Sequence, residues 1–161
     1  MAARILIPLL ALLLLPTLAA CQEKVPAAGD KTTTMNIDGQ AFTLELALTP
    51  EARFKGLSDR DHIAADGGML FVFPNVAVRQ FVMRRCPNPI DIIFLGPGGR
   101  IVAMHAMKPE PNTPEGQLHL YSSDWPAQFA IELKGGTLER MHLKPGDKID
   151  FAWDDVARLA K

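Results

Sequence analysis

The chain is poor in the residues and patterns that announce familiar chemistry. It has two cysteines, Cys21 and Cys86, and no Cys-x-x-Cys pair, so the common zinc spacings are excluded. It has no Gly-x-Ser-x-Gly turn, no phosphate-binding glycine loop and no dinucleotide fingerprint. Ser58, Ser122 and Ser123 lie in loop-like or strand-end positions with no recognisable base beside them. Positive charge is not in excess, with 17 Lys and Arg against 18 Asp and Glu, which gives no electrostatic case for nucleic acid or an anionic membrane surface. No apolar run reaches the roughly 20 residues of a spanning helix. No helical pattern is long enough to serve as the crossover of a parallel α/β sheet.

What is present begins with an address. Met1 to Ala20 carries one charge, Arg4, then an apolar run from Ile5 to Leu15 and small residues, the three parts of a secretory leader. Pro8 and Pro16 argue against a regular core helix there. Leu18-Ala19-Ala20-Cys21 resembles the lipobox of bacterial lipoproteins, which implies a lipid-modified Cys21 as the mature N-terminus. The resemblance also implies the periplasmic face of an outer membrane where one exists, since Gln22 is not the retaining Asp. Removing the leader takes away Arg4 and no acid, leaving 16 basic against 18 acidic side chains. Two cysteines in an exported chain would ordinarily suggest a disulfide. A lipidated Cys21 cannot form one, so Cys86 is expected as a lone thiol, either buried and inert or reactive. Gln22 to Thr34 is small and polar, with Pro26 and Gly29, and reads as a flexible tether. One folded domain is expected from residue 35 to 161.

From there the chain reads as short strands punctuated by glycine, proline and charge. Asp38-Gly39 between Thr33–Asp38 and Ala41–Ala47 is the strongest hairpin signal. Thr49-Pro50-Glu51 starts a helix that Gly56 ends. Further strands are expected at 69–73, 80–83, 89–95, 100–107, 117–123, 128–133 and 148–153. Residues 90–95 are apolar on both faces except at Asp91, which predicts a central strand. A helical turn is expected over 135–142, and Pro145-Gly146 reads as a type II turn. The expected fold is mainly β: a compact antiparallel sandwich or barrel of about nine short strands with two short helices.

These segments resemble a family of bacterial and archaeal proteins called DUF192 or UPF0127. The resemblance rests on Arg53-x-x-Gly56-Leu57-x-x-Arg60, Gly68 to Phe73, Phe81-x-Met83, Pro89 to Leu95, Gly99 to Val102, Tyr121, Glu132-Leu133 and Gly146-Asp147. It spans roughly Met35 to Phe151 and implies a compact all-β domain with small helices. No catalytic role comes with it. The family pattern reads Phe-Trp-Met-Lys-Asn-Thr where this chain has Phe81-Val82-Met83-Arg84-Arg85-Cys86, so any binding that relatives owe to those residues is in doubt here.

Asp91 is the leading single candidate. A carboxylate inside an apolar strand is costly unless it is paired or hydrogen-bonded. It is either an acid with a raised pKa for binding or catalysis, or a structural acceptor. As a structural acceptor it would be held by backbone donors or by Arg53, Arg60 or Arg84, with a depressed pKa. Glu132 is read in the same way, with Ile131 and Leu133 on the opposite face. Met104-His105-Ala106-Met107 is the densest group of soft ligands. His105 and Met107 share a face, and His119 or Cys86 would be needed to complete a copper-type site. Tyr121 and Trp125, around Ser122 and Ser123, form the most ligand-like loop. No cofactor is implied. The favoured function is a lipid-anchored envelope module, attached to the membrane through Cys21, that binds an envelope protein or a small molecule. The alternatives are a small hydrolase using Asp91 with a histidine, and a soft-metal protein.

Overall fold

The structure is a computed structural model that describes residues 31–161. The expected leader, Cys21 and most of the expected tether therefore lie outside the described residues. Strands β1 (Thr32–Ile37) and β2 (Gln40–Ala47) form a hairpin in which Ile37 faces Gln40. Asp38 and Gly39 both take positive φ, 51° and 80°, the geometry of a two-residue type I′ turn. The hairpin is as expected, but Thr32 to Thr34 belong to β1 and not to a tether. Helix α1 (Pro50–Lys55) follows, with the Thr49 hydroxyl accepting from the Ala52 N–H at 3.2 Å. Gly56 ends it at φ 51°, ψ −137°, a backbone conformation suited to glycine.

Residues 48–66 then carry the chain back, and β3 (Gly67–Ala77) lies parallel to β2. This corrects one expectation. A crossover needs about a dozen residues, and here a six-residue helix and a loop supply it together. The remaining strands are β4 (Gln80–Phe81), β5 (Ile90–Leu95), β6 (Ile101–Met107), β7 (Tyr121–Ser122) and β8 (Ala127–Lys134). Among the described residues they form a mixed six-stranded sheet in the order β1-β2-β3-β8-β5-β6 and a separate β4–β7 pair. The mainly β expectation holds, with eight strands and two short helices, and the sheet does not close into a barrel.

Several segments depart from the sequence reading. Lys148 makes only a single bridge to Arg100, and the chain then turns into helix α2 (Trp153–Ala157) in place of a final strand. The expected 117–123 strand shrinks to Tyr121–Ser122. Residues 138–140 form one 3-10 turn. The Pro145-Gly146 turn is present, with Gly146 at φ 99° and the Asp147 N–H donating to Lys144 O at 3.1 Å.

Both faces of the large sheet are covered. One face buries Phe42, Leu70, Ile93, Phe129 and Ile131 beneath Trp153 and Val156. The other buries Phe71, Ile92 and Phe94 beneath Leu57, Ile63 and Met83. All six residues of β5 are buried, as its two-sided apolar pattern predicted. Each buried large apolar side chain stabilises the fold by about 1.5–3 kcal/mol relative to exposure. Two layers of core therefore leave any acid on β5 or β8 enclosed on whichever face it points to. Asp91 shares the first face with its neighbour Leu133, and Glu132 shares the second with Met69 and Ile92.

Candidate functional site

The second face opens into a cleft of about 540 Å³, within the range of small-molecule sites. Its floor and walls include Gly56, Leu57, Phe71, Phe73, Phe81 and Glu132. Phe81 sits edge-on to Phe71, Phe73 and Phe94, with ring centroids 4.9, 6.4 and 5.4 Å apart. The β3–β8 register slips between Val72 and Ala77. Pro74 lies in that bulge, where the missing N–H of proline is tolerated. The bulge leaves Phe73 half-buried on the cleft wall.

Glu132 is the anomaly of the site. It lies mid-strand on β8 between Met69 and Ile92 and is only 5% exposed. The Leu57 N–H bonds its carboxyl group, but Oε2 is buried with no hydrogen-bond partner. Burial pushes its pKa to about 8, against the opposing pull of the Leu57 N–H and the Arg60 charge. Arg60 does not neutralise it, because its guanidinium forks onto both carboxylate oxygens of Glu45. A methyl group built on Gly56 would come within 3.3 Å of the Phe71 ring and 3.6 Å of Glu132 Oε2, so glycine keeps the floor of the cleft open.

Cys86 lines the same cleft as a free, half-buried thiol. Its Sγ donates to the Arg84 carbonyl at 3.3 Å. Burial first, then the Glu132 charge, raises the thiol to about 11. That shift favours the protonated thiol. Arg84 lies over the Phe54 ring at 3.9 Å and pairs with Glu115. Arg85 forks onto Asp59 from a positive-φ position, φ 48°. That is the position where the family pattern has Asn, a residue that tolerates this conformation better. Met83 is buried in the core beneath the cleft and Val82 lines its rim.

Arg53 and Arg79 stand at the Phe73 end of the cleft. Arg53 Nη1 donates to the Leu48 and Val72 carbonyls at 2.8 and 2.9 Å, and Nη2 donates to Lys161 O at 2.9 Å. Arg79 Nε donates to Ala127 O at 3.3 Å, and Nη2 donates to both oxygens of Asn75. Neither guanidinium forms an ion pair with an acidic side chain among the described residues. Desolvation lowers both pKa values, the Glu51 charge opposing it at Arg53 and the Arg53 charge lowering that of Arg79 further.

Asp91 is not in this cleft. It is buried on the opposite face, where Oδ2 accepts from the Leu138 N–H at 2.7 Å and the Gly136 and Thr137 N–H groups also bond the carboxyl. The backbone donors expected of a structural role are there, and no arginine is. Burial, aided by the Glu139 charge, nevertheless outweighs the three donors, so the pKa is raised and not depressed. Its histidine partner in the hydrolase alternative does not appear among its contacts in the described residues.

The remaining candidates are scattered. His105 Nε2 lies 2.7 Å from Ser122 O, so that nitrogen donates to a carbonyl and is not free to bind a metal. Met107 is buried in the core, and His119 packs on Tyr121 with ring centroids 4.5 Å apart. No group of three or more His, Cys, Asp or Glu side chains is arranged for a metal among the described residues. Tyr121 is half-buried, its hydroxyl accepting from the Lys108 N–H at 3.1 Å. The Trp125 ring is 67% exposed. Buried Ser123 ties that loop down by accepting from the Arg79 N–H and donating to Trp125 O. The loop thus braces the cleft wall, and the cleft itself escaped the sequence reading. Its one legible signal was an acid at Glu132 inside an apolar run.

Comparison with known proteins agrees with this geometry. A Sinorhizobium meliloti 1021 protein, provisionally named a transcription regulator, is similar in structure at TM-score 0.61 and 29% identity, over 73% of this chain and 88% of that one. A Novosphingobium aromaticivorans DSM 12444 protein of unknown function is similar at TM-score 0.65 and 27% identity, over 82% and 94%. No curated protein matches the chain. The DUF192 profile, described as an uncharacterized ACR, matches residues 33–151. That span holds every strand but the first residue of β1 and the whole wall of the cleft, so the chain belongs to the DUF192 family.

Proposed function

We propose that the protein is a lipid-anchored binding module of the cell envelope whose cleft takes a small, partly apolar molecule. Anchoring is supported by Leu18-Ala19-Ala20-Cys21 after an apolar leader. Residues 1–20 are then removed, a short tether follows Cys21, and the domain begins at β1. Gln22 favours the periplasmic face of an outer membrane.

The observation that carries the binding role is Glu132 Oε2, buried and unpartnered at the floor of an open cleft. An unmade hydrogen bond on a buried polar group costs about 1–3 kcal/mol, and a ligand with a suitable polar atom recovers it. The aromatic walls supply apolar contact on either side. The described helices have six and five residues, shorter than the recognition helices that enter a DNA groove. They lend no support to carrying over the name of the Sinorhizobium protein.

The test is equilibrium dialysis of the detergent-solubilised lipoprotein against a small-molecule extract of the envelope, read by mass spectrometry. Retention of a compound by the wild type that Glu132→Leu abolishes is the expected result. No retained compound, or equal retention by the variant, refutes the role. Cys21→Ser is expected to lose lipid labelling and to leave the precursor uncleaved. Normal labelling of that variant refutes the anchor.

A further inference from the structure

Among the described residues neither arginine at the Phe73 end forms an ion pair with an acidic side chain, although the Glu51 charge acts on Arg53, and both are well fixed. Arg79 lies 3.9 Å over the Phe73 ring and Arg53 lies 5.5 Å from the same ring. Each is held by carbonyl oxygens that use some of its five N–H groups and leave others unused. On Arg79 both Nη1 hydrogens lack a protein acceptor, and on Arg53 the Nε hydrogen and one Nη2 hydrogen do. Glu45 pairs with Arg60, Glu115 with Arg84 and Asp59 with Arg85, and Glu51 acts on Arg53 only through space, without an ion pair. Two like charges held together by the backbone repel one another, and an anion between them removes that repulsion. Planar guanidinium forks match a carboxylate or phosphate in geometry as well as charge.

We infer that the Arg53–Arg79 end of the cleft binds the anionic head, carboxylate or phosphate, of a small amphiphilic acid whose apolar body lies along Phe73, Phe81 and Phe71 toward Glu132. This rests on the cleft being a binding site, and it adds the class of ligand. Glu132 selects against a second negative charge at the far end, because its floor position is enclosed and already carries a carboxyl group. A monoanion with a neutral hydrogen-bonding tail satisfies both ends, whereas a diacid does not.

The experiment is calorimetric titration of the full lipoprotein in detergent at low salt with 4-phenylbutyrate, with its neutral counterpart 4-phenylbutanol, and with inorganic phosphate as competitor. The acid is expected to bind at least tenfold more tightly than the alcohol. Phosphate should weaken the acid and leave the alcohol unchanged. Arg79→Gln should weaken the acid at least tenfold and affect the alcohol less than twofold. Should Arg79→Gln fail to fold, the acid–alcohol ratio and the phosphate competition on the wild type decide the matter alone. Acid and alcohol binding equally, both insensitive to phosphate, overturns the anion site and leaves the cleft as a binding site. Binding of neither overturns both.

Discussion

Replacing Glu132 by Gln keeps the size and shape of the side chain and removes its titration. Glu132 moves from an ordinary 4.5 to about 8 in the fold. A raised pKa means that the folded protein holds the proton more tightly than the unfolded chain. The stability linked to that proton is therefore complete below about pH 4.5 and is lost as pH rises through about 8. A tenfold difference in proton affinity between the folded and unfolded chains is worth about 1.4 kcal/mol. The wild type should lose about 3 kcal/mol between pH 4.5 and pH 7, and about 4 kcal/mol by pH 9. That is a large share of the 5–15 kcal/mol of a typical domain. Glu45 does not mask the effect, because its pKa is lowered by Arg60 and its own loss of stability lies at lower pH. Cys86, at about 11, titrates above the window. Urea unfolding of wild type and Glu132→Gln at pH 5, 7 and 9 reads the difference directly. The variant should match the wild type at pH 5 and exceed it increasingly at pH 7 and 9. Parallel pH dependence in the two proteins would show that the cleft floor is wet or that Glu132 is paired, and the binding role built on its unpartnered oxygen would fall with it.

Asp91→Asn leaves part of the Gly136–Leu138 donor group unpaired and should cost about 1–3 kcal/mol at neutral pH, measured by urea unfolding; a variant as stable as wild type refutes the structural role. Gly68→Ala would place a methyl carbon 2.2 Å from the Glu132 carbonyl oxygen and 2.9 Å from Leu133 Cδ2. Because backbone on β8 cannot retreat without breaking the ladder, a loss of about 3 kcal/mol or more is expected, and a thermal midpoint unchanged from wild type would contradict the packing. Cys86, raised from 9.0 to about 11, should react with iodoacetamide at pH 8 about 100-fold more slowly than the same thiol in urea; equal rates count against the burial. Arg85→Asn relieves a positive-φ arginine at φ 48° at the loss of an exposed ion pair, so its urea midpoint should rise, and a fall would show that the Asp59 fork outweighs the backbone strain.

Local features were the most legible. Asp38-Gly39 requires positive φ at both turn residues, and Asp and Gly adopt it at little cost. Thr49-Pro50 starts a helix through one hydroxyl and one fixed φ. Residues 90–95 show two-sided burial because period-two alternation is absent. The failures have a common cause. Lys148–Trp153 has strand composition, but Trp153 is recruited to cover Phe129, with ring centroids 4.6 Å apart, and its indole N–H donates to Ile149 O at 2.7 Å. Tertiary contact overrides propensity there. Residues 48–66 look like a helix and a loop, and nothing in their pattern states that β3 returns parallel to β2.

The candidate site divides in the same way. Asp91 and Glu132 look alike in sequence, since each is a lone acid in an apolar strand. Pattern established two-sided burial only for the strand of Asp91, and the structure shows that the strand of Glu132 is buried on both sides as well. Only the packing decided which one is satisfied. Asp91 meets three consecutive N–H groups from a turn more than forty residues away, and Glu132 meets one N–H and an open cleft. The strand alternation, the hairpin turn and the helix start follow from neighbours in the chain, where φ, ψ and side-chain period act over a few residues. The cleft, the pairing of Arg53 with Arg79 at its end, and the raised pKa of Glu132 follow from groups distant in sequence, and depend on which donors, charges and apolar walls the sheet order brings together.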